Sequence, residues 1–331
     1  MTANKVVVQT LIATAAALIL AAANAQIAPK EATYPSKPIR LLVPFPPGAT
    51  TDTQGRRVAE KLVQRLGQPV VIDNRSGANG IIAMETVARA PADGYTLAIS
   101  TVGPLAVNPH LYELPYDVFK DFAPIIRVAT TPGVLVVHPA LSAKTLKDLV
   151  AVARQNPGQL NYGSAGVGSF GHMSWELLMS MTGTRFNHVP YKGSAPALTD
   201  LIGGHVQVLI NSAAPTIPQI KAGTVRALAL TGATRIDLLP DLATVAEAGL
   251  PGYESSTWSA VVAPARTPQP IIERLNKELA AILQTPEMKE AARAEGSIIN
   301  AGTPTELRDH LKSEVTKFGK LIREARIKPE K

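Results

Sequence analysis

The stretch from residue 39 to residue 66 reads IRLLVPFPPGATTDTQGRRVAEKLVQRL. Its first five residues are mostly apolar and predict a buried strand, and the Pro- and Gly-rich segment that follows predicts a rigid loop. From Asp52 to Leu66 apolar residues such as Val58 and Leu62 recur at helical spacing, and an aspartate suits the first turn of a helix. The stretch therefore predicts one strand–loop–helix unit.

The same unit recurs further along the chain. It is repeated by a strand over residues 70–72, a loop over 74–80, a helix over 81–89, a strand over 95–99 and a loop at Ser100 and Thr101. Strand, loop and helix in alternation predict a parallel, doubly wound sheet, because each crossover helix returns the chain to begin the next strand in the same direction.

A second series of units follows a long irregular stretch, which is predicted over residues 108–124. A strand over residues 134–137 is predicted to leave the first lobe and enter a second one. The second series consists of helix 146–153, strand 160–162, loop 163–171, helix 172–181, strand 186–191, loop 192–195, helix 196–202, and strands 206–210 and 225–231. The two series predict two doubly wound α/β lobes.

The last part of the chain is predicted to return to the first lobe. A strand over residues 258–263 is followed by two long helices over 271–295 and 305–327, which we expect to pack on that lobe. The predicted divisions are a signal peptide at 1–25, the first part of lobe 1 at 26–136, lobe 2 at 137–258, and a return strand with C-terminal helices that complete lobe 1 at 259–331. Two crossings between two lobes predict a hinge.

Length and composition agree with two lobes. The chain has 331 residues, and single hydrophobic cores stop growing near roughly 250–300 residues. Hydrophobic residues make up 46% and charged residues 18%, which indicates a globular chain with a large core. Aromatic residues are only 5%, so the core must use mainly aliphatic side chains, as buried parallel strands do.

The N-terminus has the pattern of an export signal. A short cationic segment that ends at Lys5 precedes an apolar run over residues 6–23, and the small-x-small sequence Ala-Asn-Ala at residues 23–25 is typical of a cleavage site. A membrane anchor is the alternative, but polar residues such as Thr10 dilute the run. We therefore expect a cleavable signal peptide and a periplasmic location.

Cysteine content and charge exclude several classes of function. The sequence contains no cysteine, which excludes disulfides, thiolate metal sites and cysteine nucleophiles. The net charge is +7 and the basic residues are dispersed along the chain. This distribution favours the attraction of small anions over nucleic-acid binding.

Three loops, over residues 45–52, 74–80 and 163–171, are candidate binding loops. Each follows the carboxyl end of a strand and precedes a helix, which is where open α/β sheets bind ligands. Their Gly, Pro and Ser residues let backbone N–H groups approach a ligand oxygen, and a helix N-terminus carries about half a positive charge. Any one loop could be a simple tight turn, but the three together predict a carboxylate site.

The segment Gly166-Val-Gly-Ser-Phe-Gly171 is the strongest indication of an enzyme. It matches the dinucleotide pattern G-x-G-x-x-G after a strand and before a helix. That pattern also needs an acidic residue about 20 residues further on, where the next strand ends, and this strand ends at Tyr191-Lys192 without one. The same loop can bind a carboxylate through the hydroxyls of Ser164 and Ser169, and we predict no cofactor.

Other catalytic or metal chemistry has little support. The six histidines show none of the usual metal-ligand spacings, and neither Ser164 nor Ser169 follows a glycine at the spacing of a nucleophile elbow. A catalytic pair of Asp52 and Asp73 is the weaker interpretation, because aspartate is a preferred capping and turn residue. No catalytic residue and no metal site is predicted.

Short motifs along nearly the whole chain form a specific combination. They are Tyr34-Pro-Ser-Lys-Pro-Ile39, Val43-Pro-Phe-Pro-Pro-Gly48, Asn74-Arg-Ser-Gly-Ala78, Pro91-Ala-Asp-Gly-Tyr95, Asn161-Tyr-Gly-Ser164, Val189-Pro-Tyr-Lys-Gly193, Gly223-Thr-Val-Arg-Ala-Leu228, Leu239-Pro-Asp241 and Ala263-Pro-Ala265. With these motifs the sequence resembles the Bug (TctC-like) family of tripartite tricarboxylate transporter periplasmic solute-binding proteins. The resemblance implies the periplasmic binding protein type II fold.

The resemblance also implies a ligand that is held between the lobes through a carboxylate. The implied contacts are Phe45, Pro47, Ala49, Gly77, Ala78, Ser100 and Thr101 in the first lobe, and Ser164, Ser169, Tyr191, Lys192 and Asn211 in the second. Family members usually carry a glycine where this chain has Ala49, and acids at the positions of Gln207 and Asn211. These departures favour plain mono- or dicarboxylates, including aromatic ones, over amino acids.

The sequence therefore predicts a periplasmic solute-binding receptor, and not an enzyme, that closes two lobes around a small carboxylate like a Venus flytrap. The resemblance implies delivery to the membrane permease of a tripartite tricarboxylate-type transporter. Presentation to a membrane histidine kinase is an alternative, and an exported dinucleotide-dependent enzyme is a weaker one. We expect a monomer.

Overall fold

The computed structural model describes residues 34–329. The predicted signal peptide and the beginning of the segment after it lie outside the described residues. Ten strands occur in the described part: β1 (Ile39–Val43), β2 (Val70–Asn74), β3 (Thr96–Thr101), β4 (Phe122–Val137), β5 (Asn161–Ser164), β6 (Asn187–Pro190), β7 (Val208–Ser212), β8 (Arg226–Leu230), β9 (Ser256–Pro264) and β10 (Ile298–Ile299).

Ten α-helices connect these strands in the described part of the chain. They are α1 (Thr50–Leu66), α2 (Ile81–Ala88), α3 (Asn108–Leu111), α4 (Leu146–Gln155), α5 (Phe170–Thr182), α6 (Ser194–Ile202), α7 (Ala213–Lys221), α8 (Gln269–Leu283), α9 (Pro286–Ala294) and α10 (Pro304–Ala325). A 3-10 turn at Ala78–Gly80 precedes α2, and a π-helical turn at Gly103–Val107 precedes α3.

The first lobe contains a mixed sheet in the order β2-β1-β3-β9-β4-β10. Strands β1, β2 and β3 are parallel, as the strand–loop–helix pattern predicts. Strand β9 runs antiparallel to both β3 and β4, so the sheet is not wholly parallel. The return strand therefore lies inside the first-lobe sheet and not at its edge.

The second lobe contains a sheet in the order β6-β5-β7-β4-β8. Strands β5, β6 and β7 are parallel, and β4 is antiparallel to β7 and β8. The long strand β4 belongs to both sheets, because its first half pairs with β9 and its second half with β7 and β8. The prediction of two α/β lobes is confirmed.

Three clusters of buried apolar side chains form the cores of the two lobes. The first-lobe cluster includes Leu42, Leu105 and Phe318, and it joins the sheet to helix α10. It also contains Met173 of α5, so the core of the first lobe extends to a helix of the second. The other two clusters cover opposite faces of the second-lobe sheet. Burial of aliphatic side chains on both faces is typical of α/β sheets.

Strand pairing between distant parts of the chain corrects several predicted boundaries. Ser100 and Thr101 are not a loop: they end β3 and pair with Ala260 and Ser259 of β9. The predicted irregular stretch over residues 108–124 contains α3 and the beginning of β4, which starts at Phe122 instead of residue 134. Prolines argue against a strand here, but register shifts beside Pro124 let β4 continue along β9.

Helix predictions fail at prolines. The predicted helix over residues 271–295 is two helices, because Pro286 starts α9 and the Thr285 side chain caps it by accepting from the Met288 backbone N–H. Helix α7 was not predicted, since its sequence contains Pro215 and Pro218. Strand β7 begins at Val208 and ends at Ser212, two residues later than predicted, which places Asn211 within the strand.

Candidate functional site

A cleft of about 950 Å³ lies between the two lobes. Its first-lobe wall is formed by the loop between β1 and α1, the turn before α2 and the end of β3. Its second-lobe wall is formed by the beginnings of α5 and α6 and by strand β7, and residues of β4 and β9 form its floor. The volume is within the range of small-molecule sites, roughly 300–1,000 Å³.

The loop between β1 and α1 presents the N-terminus of a long helix to the cleft. Ala49 is the residue before the helix, and no side chain caps the helix there. Thr50 and Thr51 in the first turn line the cleft together with Phe45. The N–H groups of a first helical turn have no partner within the helix, and they are suited to an anionic oxygen.

Asp52 stabilises the loop between β1 and α1 through hydrogen bonds. Its carboxylate accepts hydrogen bonds from the Gly48 backbone N–H (2.9 Å), the Asn74 side chain (2.8 Å) and Arg56 (3.0 Å). Asn74 also donates to the Phe45 carbonyl oxygen. Burial by itself would raise the pKa of Asp52, but these hydrogen bonds hold that pKa below its usual value. Asp52 therefore has the structural role that its position in the first turn predicted.

The second binding loop has a left-handed backbone. Gly77, Ala78, Asn79 and Gly80 have φ angles of 128°, 46°, 50° and 86°. A Cβ atom on Gly80 would lie 2.7 Å from the Pro104 side chain and 3.0 Å from that of Pro44. Glycine is required at this position for both backbone conformation and space.

A side-chain clamp holds this loop in place. Asn79 donates from Nδ2 to Oδ1 of Asn108 over 2.8 Å, and Asn108 donates from its own Nδ2 to the carbonyl oxygen of Asn79 over 3.0 Å. Asn108 is fully buried. Asn108 was not predicted as a functional residue, because its pairing across 29 residues leaves no local pattern in the sequence.

The end of β3 contributes one predicted contact and buries the other. Thr101 lines the cleft. Ser100 is 0% exposed, does not line the cleft, and its hydroxyl has no hydrogen-bond partner. Alternate residues of a strand point to opposite faces, so only one of the two neighbours can face the cleft.

The glycine-rich loop of the second lobe is anchored by two histidines. The Gly168 N–H donates to His172 Nδ1 over 3.1 Å, and the Ser164 hydroxyl lies 2.6 Å from His188 Nε2. The two imidazole rings stack with centroids 4.2 Å apart. Ser164 therefore lies behind the cleft wall, whereas Ser169 lines the cleft and caps α5.

The glycines of this loop have packing roles. A Cβ atom on Gly171 would lie 2.7 Å from the carbonyl oxygen of Ile210, so helix α5 lies directly against β7. A Cβ atom on Gly168 would lie 2.8 Å from the Leu111 side chain of the first lobe. Close packing at Gly168 and Gly171, together with the positive φ of 117° at Gly166, accounts for the three glycines without a dinucleotide.

Helix α6 begins at the second-lobe wall next to Lys192. Lys192 lines the cleft, but the Tyr191 side chain points elsewhere and donates to Asp200 over 2.6 Å. Burial, followed by the hydrogen bond and charge of Asp200, raises the pKa of Tyr191 to about 12. Asn211 of β7 also lines the cleft.

The structure brings most of the predicted contacts together. Eight of them line the cleft: Phe45, Ala49, Gly77, Ala78, Thr101, Ser169, Lys192 and Asn211. Four do not, namely Pro47, Ser100, Ser164 and Tyr191. Gln207, a noted departure, also lies outside the lining and accepts from the Asn161 backbone N–H. Sequence reasoning missed Gln54 and Ser259, which meet from α1 and β9 at 2.7 Å and line the cleft floor.

The electrostatic character of the cleft is positive. Among the described residues that line it, Lys192 is the only one with a charged side chain. The remaining polar groups are hydroxyls, amides and backbone N–H groups at helix N-termini. Such a lining favours an anion, since it supplies donors and no opposing carboxylate.

Residues 34–329 contain neither a metal-binding cluster nor a membrane-spanning helix. No group of three or more His, Cys, Asp or Glu side chains in this range could hold a metal ion. None of the helices in the same range has the length and apolar character that a membrane crossing needs.

The fold and the cleft define a two-lobe α/β binding protein. Residues 55–327 match the family described as "Tripartite tricarboxylate transporter family receptor", and the chain belongs to this family. Its members are periplasmic solute-binding proteins. The predicted family and the type II fold are therefore confirmed.

Three known proteins illustrate the relationship. Protein BugT of Bordetella pertussis is 39% identical over 298 residues, which are 89% of this chain and 91% of BugT. The structure "R. palustris Rpa4515 with adipate" has a TM-score of 0.82 at 42% identity and covers 90% of this chain and 100% of that one. The structure of MatC from Rhodopseudomonas palustris with bound malate has a TM-score of 0.77 at 28% identity, covering 87% and 100%.

Proposed function

We propose that this chain is a periplasmic receptor that binds a small carboxylate in the cleft between its lobes and performs no chemistry on it. The observation that carries the proposal is the charge of the lining, where Lys192 has no carboxylate to oppose it. The adipate and malate that are bound to the two R. palustris relatives support the same ligand class.

The ligand carboxylate binds to the first lobe through backbone groups. The first-turn N–H groups of Thr50 and Thr51 and the left-handed turn from Gly77 to Gly80 supply the donors. The eight cleft-lining residues among the predicted contacts are the contacts that we retain. Ser164 and Tyr191 support the second-lobe wall from behind through their contacts with His188 and Asp200, and Pro47 and Ser100 are not retained as contacts.

Ligand binding closes the two lobes about a hinge in β4 and β9. Both walls of the cleft can donate to one ligand only when they approach each other, so the ligand favours the closed state. In this arrangement the two crossings between the lobes lie in β4 and β9, close to the predicted lobe boundaries at residues 137 and 258. Residues 1–25 act as a cleavable export signal.

The closed receptor delivers its ligand to the permease of a tripartite tricarboxylate-type transporter. The description of the family as a transporter receptor supports this partner. The test is uptake of a radiolabelled ligand by cells that lack the gene. Uptake should be lost and restored by the wild-type copy, whereas unchanged uptake would exclude the transport role.

The binding proposal is tested by thermal unfolding of purified protein that has been refolded to remove carried-over ligand. The panel contains mono-, di- and tricarboxylates, aromatic acids, amino acids and nicotinamide cofactors. A ligand at about 100 times its Kd adds roughly 2.7 kcal/mol to the unfolding free energy, which raises Tm by a few degrees. A rise in Tm with carboxylates and not with the other compounds supports the proposed receptor function. Stabilisation by a nucleotide alone would support the enzyme alternative.

A further inference from the structure

Asn79 and Gly80 form the only Asn-Gly sequence in the chain, and both residues line the cleft. Asn-Gly is the dipeptide at which an asparagine side chain is most readily lost as ammonia. The reason is that glycine has no Cβ atom to hinder attack by its backbone nitrogen on the preceding side chain. The position of this dipeptide makes its covalent chemistry relevant to the cleft.

Deamidation at this dipeptide requires water and no other reactant. The backbone nitrogen of Gly80 gives up its proton and attacks Cγ of Asn79, so that a new N–Cγ bond closes a succinimide ring. The Cγ–Nδ2 bond breaks, and Nδ2 leaves as ammonia with the proton that Gly80 gave up. Water then opens the ring at either carbonyl carbon and gives aspartate or isoaspartate. Nothing is oxidised or reduced.

The structure keeps the reacting groups apart. The Gly80 N–H donates to the Gly77 carbonyl oxygen over 2.9 Å, and Gly80 is buried, which shields this proton from base. The leaving nitrogen, Nδ2 of Asn79, donates to Oδ1 of Asn108 over 2.8 Å. At the Asn79 ψ of 37° the Gly80 nitrogen and the Asn79 Cβ atom lie on opposite sides of the Cα–C bond. Attack therefore requires the loop to open and break these hydrogen bonds.

An aspartate does not fit the bonds that Asn79 makes. Its carboxylate would face Oδ1 of Asn108, acceptor against acceptor. Rotation of the Asn108 amide would supply a donor, but it would turn Oδ1 of Asn108 towards the carbonyl oxygen of residue 79, which accepts from Nδ2 over 3.0 Å in the unmodified loop. Isoaspartate would lengthen the backbone of the turn. Because Asn79 lines the cleft, either product also repels an anionic ligand.

We infer that Asn79 is a protected deamidation site, which reacts only when the second binding loop opens and whose products bind the ligand more weakly. The hydrogen bonds to Asn108 and Gly77 provide the protection. The modification itself is independent of the proposed function. The loss of affinity rests on the proposed function, in which the cleft binds a carboxylate.

Peptide mass spectrometry tests the protection directly. Purified protein is incubated at mildly alkaline pH, either folded or unfolded in guanidinium chloride, and the conversion of Asn79 to aspartate and isoaspartate is followed with time. We expect the folded protein to react about 10- to 100-fold more slowly, because opening must first break the hydrogen bonds of the loop. Equal rates in the two states, or no reaction in the unfolded protein, overturn the inference.

Variants assign the protection to Asn108. Asn108→Ala removes the acceptor for Nδ2 of Asn79, so deamidation of the folded protein should become about tenfold faster. Asn156→Ala is the control, since it removes an asparagine hydrogen bond away from the cleft and should leave the rate unchanged. An unchanged rate in Asn108→Ala overturns the inference. Should this variant fail to fold, hydrogen exchange of the wild-type Gly80 amide decides, and exchange as fast as in an unstructured peptide overturns the inference.

Asn79→Asp reproduces one product and tests its effect on binding. With adipate and malate as the probes, we expect calorimetry to show a fall in affinity of about tenfold or more. Asn187→Asp is the control, because it makes the same chemical change at an exposed residue outside the cleft, and its affinity should equal that of the wild type. Unchanged affinity in Asn79→Asp overturns the link between deamidation and binding. A wild-type protein that binds no carboxylate overturns the proposed function and leaves the modification site intact.

Discussion

Trp258 Nε1 donates a hydrogen bond of 3.0 Å to Oε2 of Glu314, which joins the floor of the cleft to helix α10. Trp258 lies in β9, the strand that returns from the second lobe, and it is 2% exposed. The indole therefore lies where ligand contact and hinge movement both change its surroundings.

Ligand binding should change the fluorescence of Trp258. We expect the change to disappear in Trp258→Phe and to persist in Trp175→Phe, because Trp175 is fully buried in the second-lobe core and does not line the cleft. The measurement is a fluorescence titration with the tightest carboxylate. A response that follows Trp175 instead would place the conformational change inside the second lobe.

Substitution of Gly80 should damage the second binding loop. Gly80→Ala forces a side chain into a left-handed conformation, which costs about 1–2 kcal/mol, and against Pro104 and Pro44, which adds about 1–3 kcal/mol of overpacking. Urea unfolding and ligand titration should show loss of both stability and affinity.

The matched control for Gly80→Ala is Gly67→Ala. Gly67 ends α1 with a φ of 68°, and a Cβ atom there would meet nothing within 4 Å. We expect only the backbone cost at this position, with unchanged ligand affinity. Equal losses for the two variants would mean that contact with the prolines does not matter.

Removal of the hydrogen bonds between Asn79 and Asn108 should weaken ligand binding. Removal of an asparagine hydrogen bond away from the cleft should leave ligand binding unchanged. Asn108→Ala removes both hydrogen bonds to residue 79, and we expect the unfolding free energy to fall by about 1–3 kcal/mol with a loss of ligand affinity. Asn156→Ala is the comparison, since its Nδ2 bonds to the Val152 carbonyl oxygen away from the cleft. Retained affinity in Asn108→Ala would show that the turn holds without the clamp.

Buried His188 should make the protein less stable in acid. Burial, followed by the neighbouring His172, lowers the pKa of His188 to about 3. Below about pH 6.5 His188 becomes protonated in the unfolded chain but stays neutral in the folded protein. The free energy of unfolding therefore falls as the pH is lowered, until the pH reaches the pKa of His188 in the folded protein. His188 contributes at most about 1.4 kcal/mol per pH unit to the slope of the unfolding free energy against pH.

Urea denaturation between pH 7 and pH 4.5 measures this effect. His188→Phe keeps an aromatic ring and removes the titrating group, so its stability should depend less steeply on pH than that of the wild-type protein. A residual slope is expected, because burial and Arg127 also lower the pKa of His310, to about 4. Identical slopes in the two proteins would show that His188 titrates normally.

Local patterns predicted the helices and loops whose sequence features lie within a single strand–loop–helix unit. Helix α1 ends at Leu66 as predicted, because its apolar spacing and the glycine that follows it are local features. The loop after β1 and the left-handed turn before α2 were located for the same reason. Of the twelve contacts that the family resemblance implied, eight line the cleft. The candidate loops of the residue pattern reach it because βα loops meet at the carboxyl end of a parallel sheet.

Elements that depend on distant partners were missed or misplaced. The first half of β4 is a strand only because β9 lies beside it, more than 100 residues later in the chain. Ser100 and Thr101 were read as a loop for the same reason. Prolines misled the prediction in both directions, because their effect depends on whether the missing N–H would have had a partner.

The sequence by itself determined the alternation of strands and helices, the position of the glycine-rich loops and the absence of cysteine chemistry, because each is written in consecutive residues. Only the tertiary structure decided which side chains face the cleft. It buried Ser100 and directed Thr101 to the cleft, paired Asn108 with Asn79, and left Nδ2 of Asn211 without a hydrogen-bond partner at the cleft wall. The physical reason is that strand register and lobe packing are fixed by contacts between residues far apart in the chain.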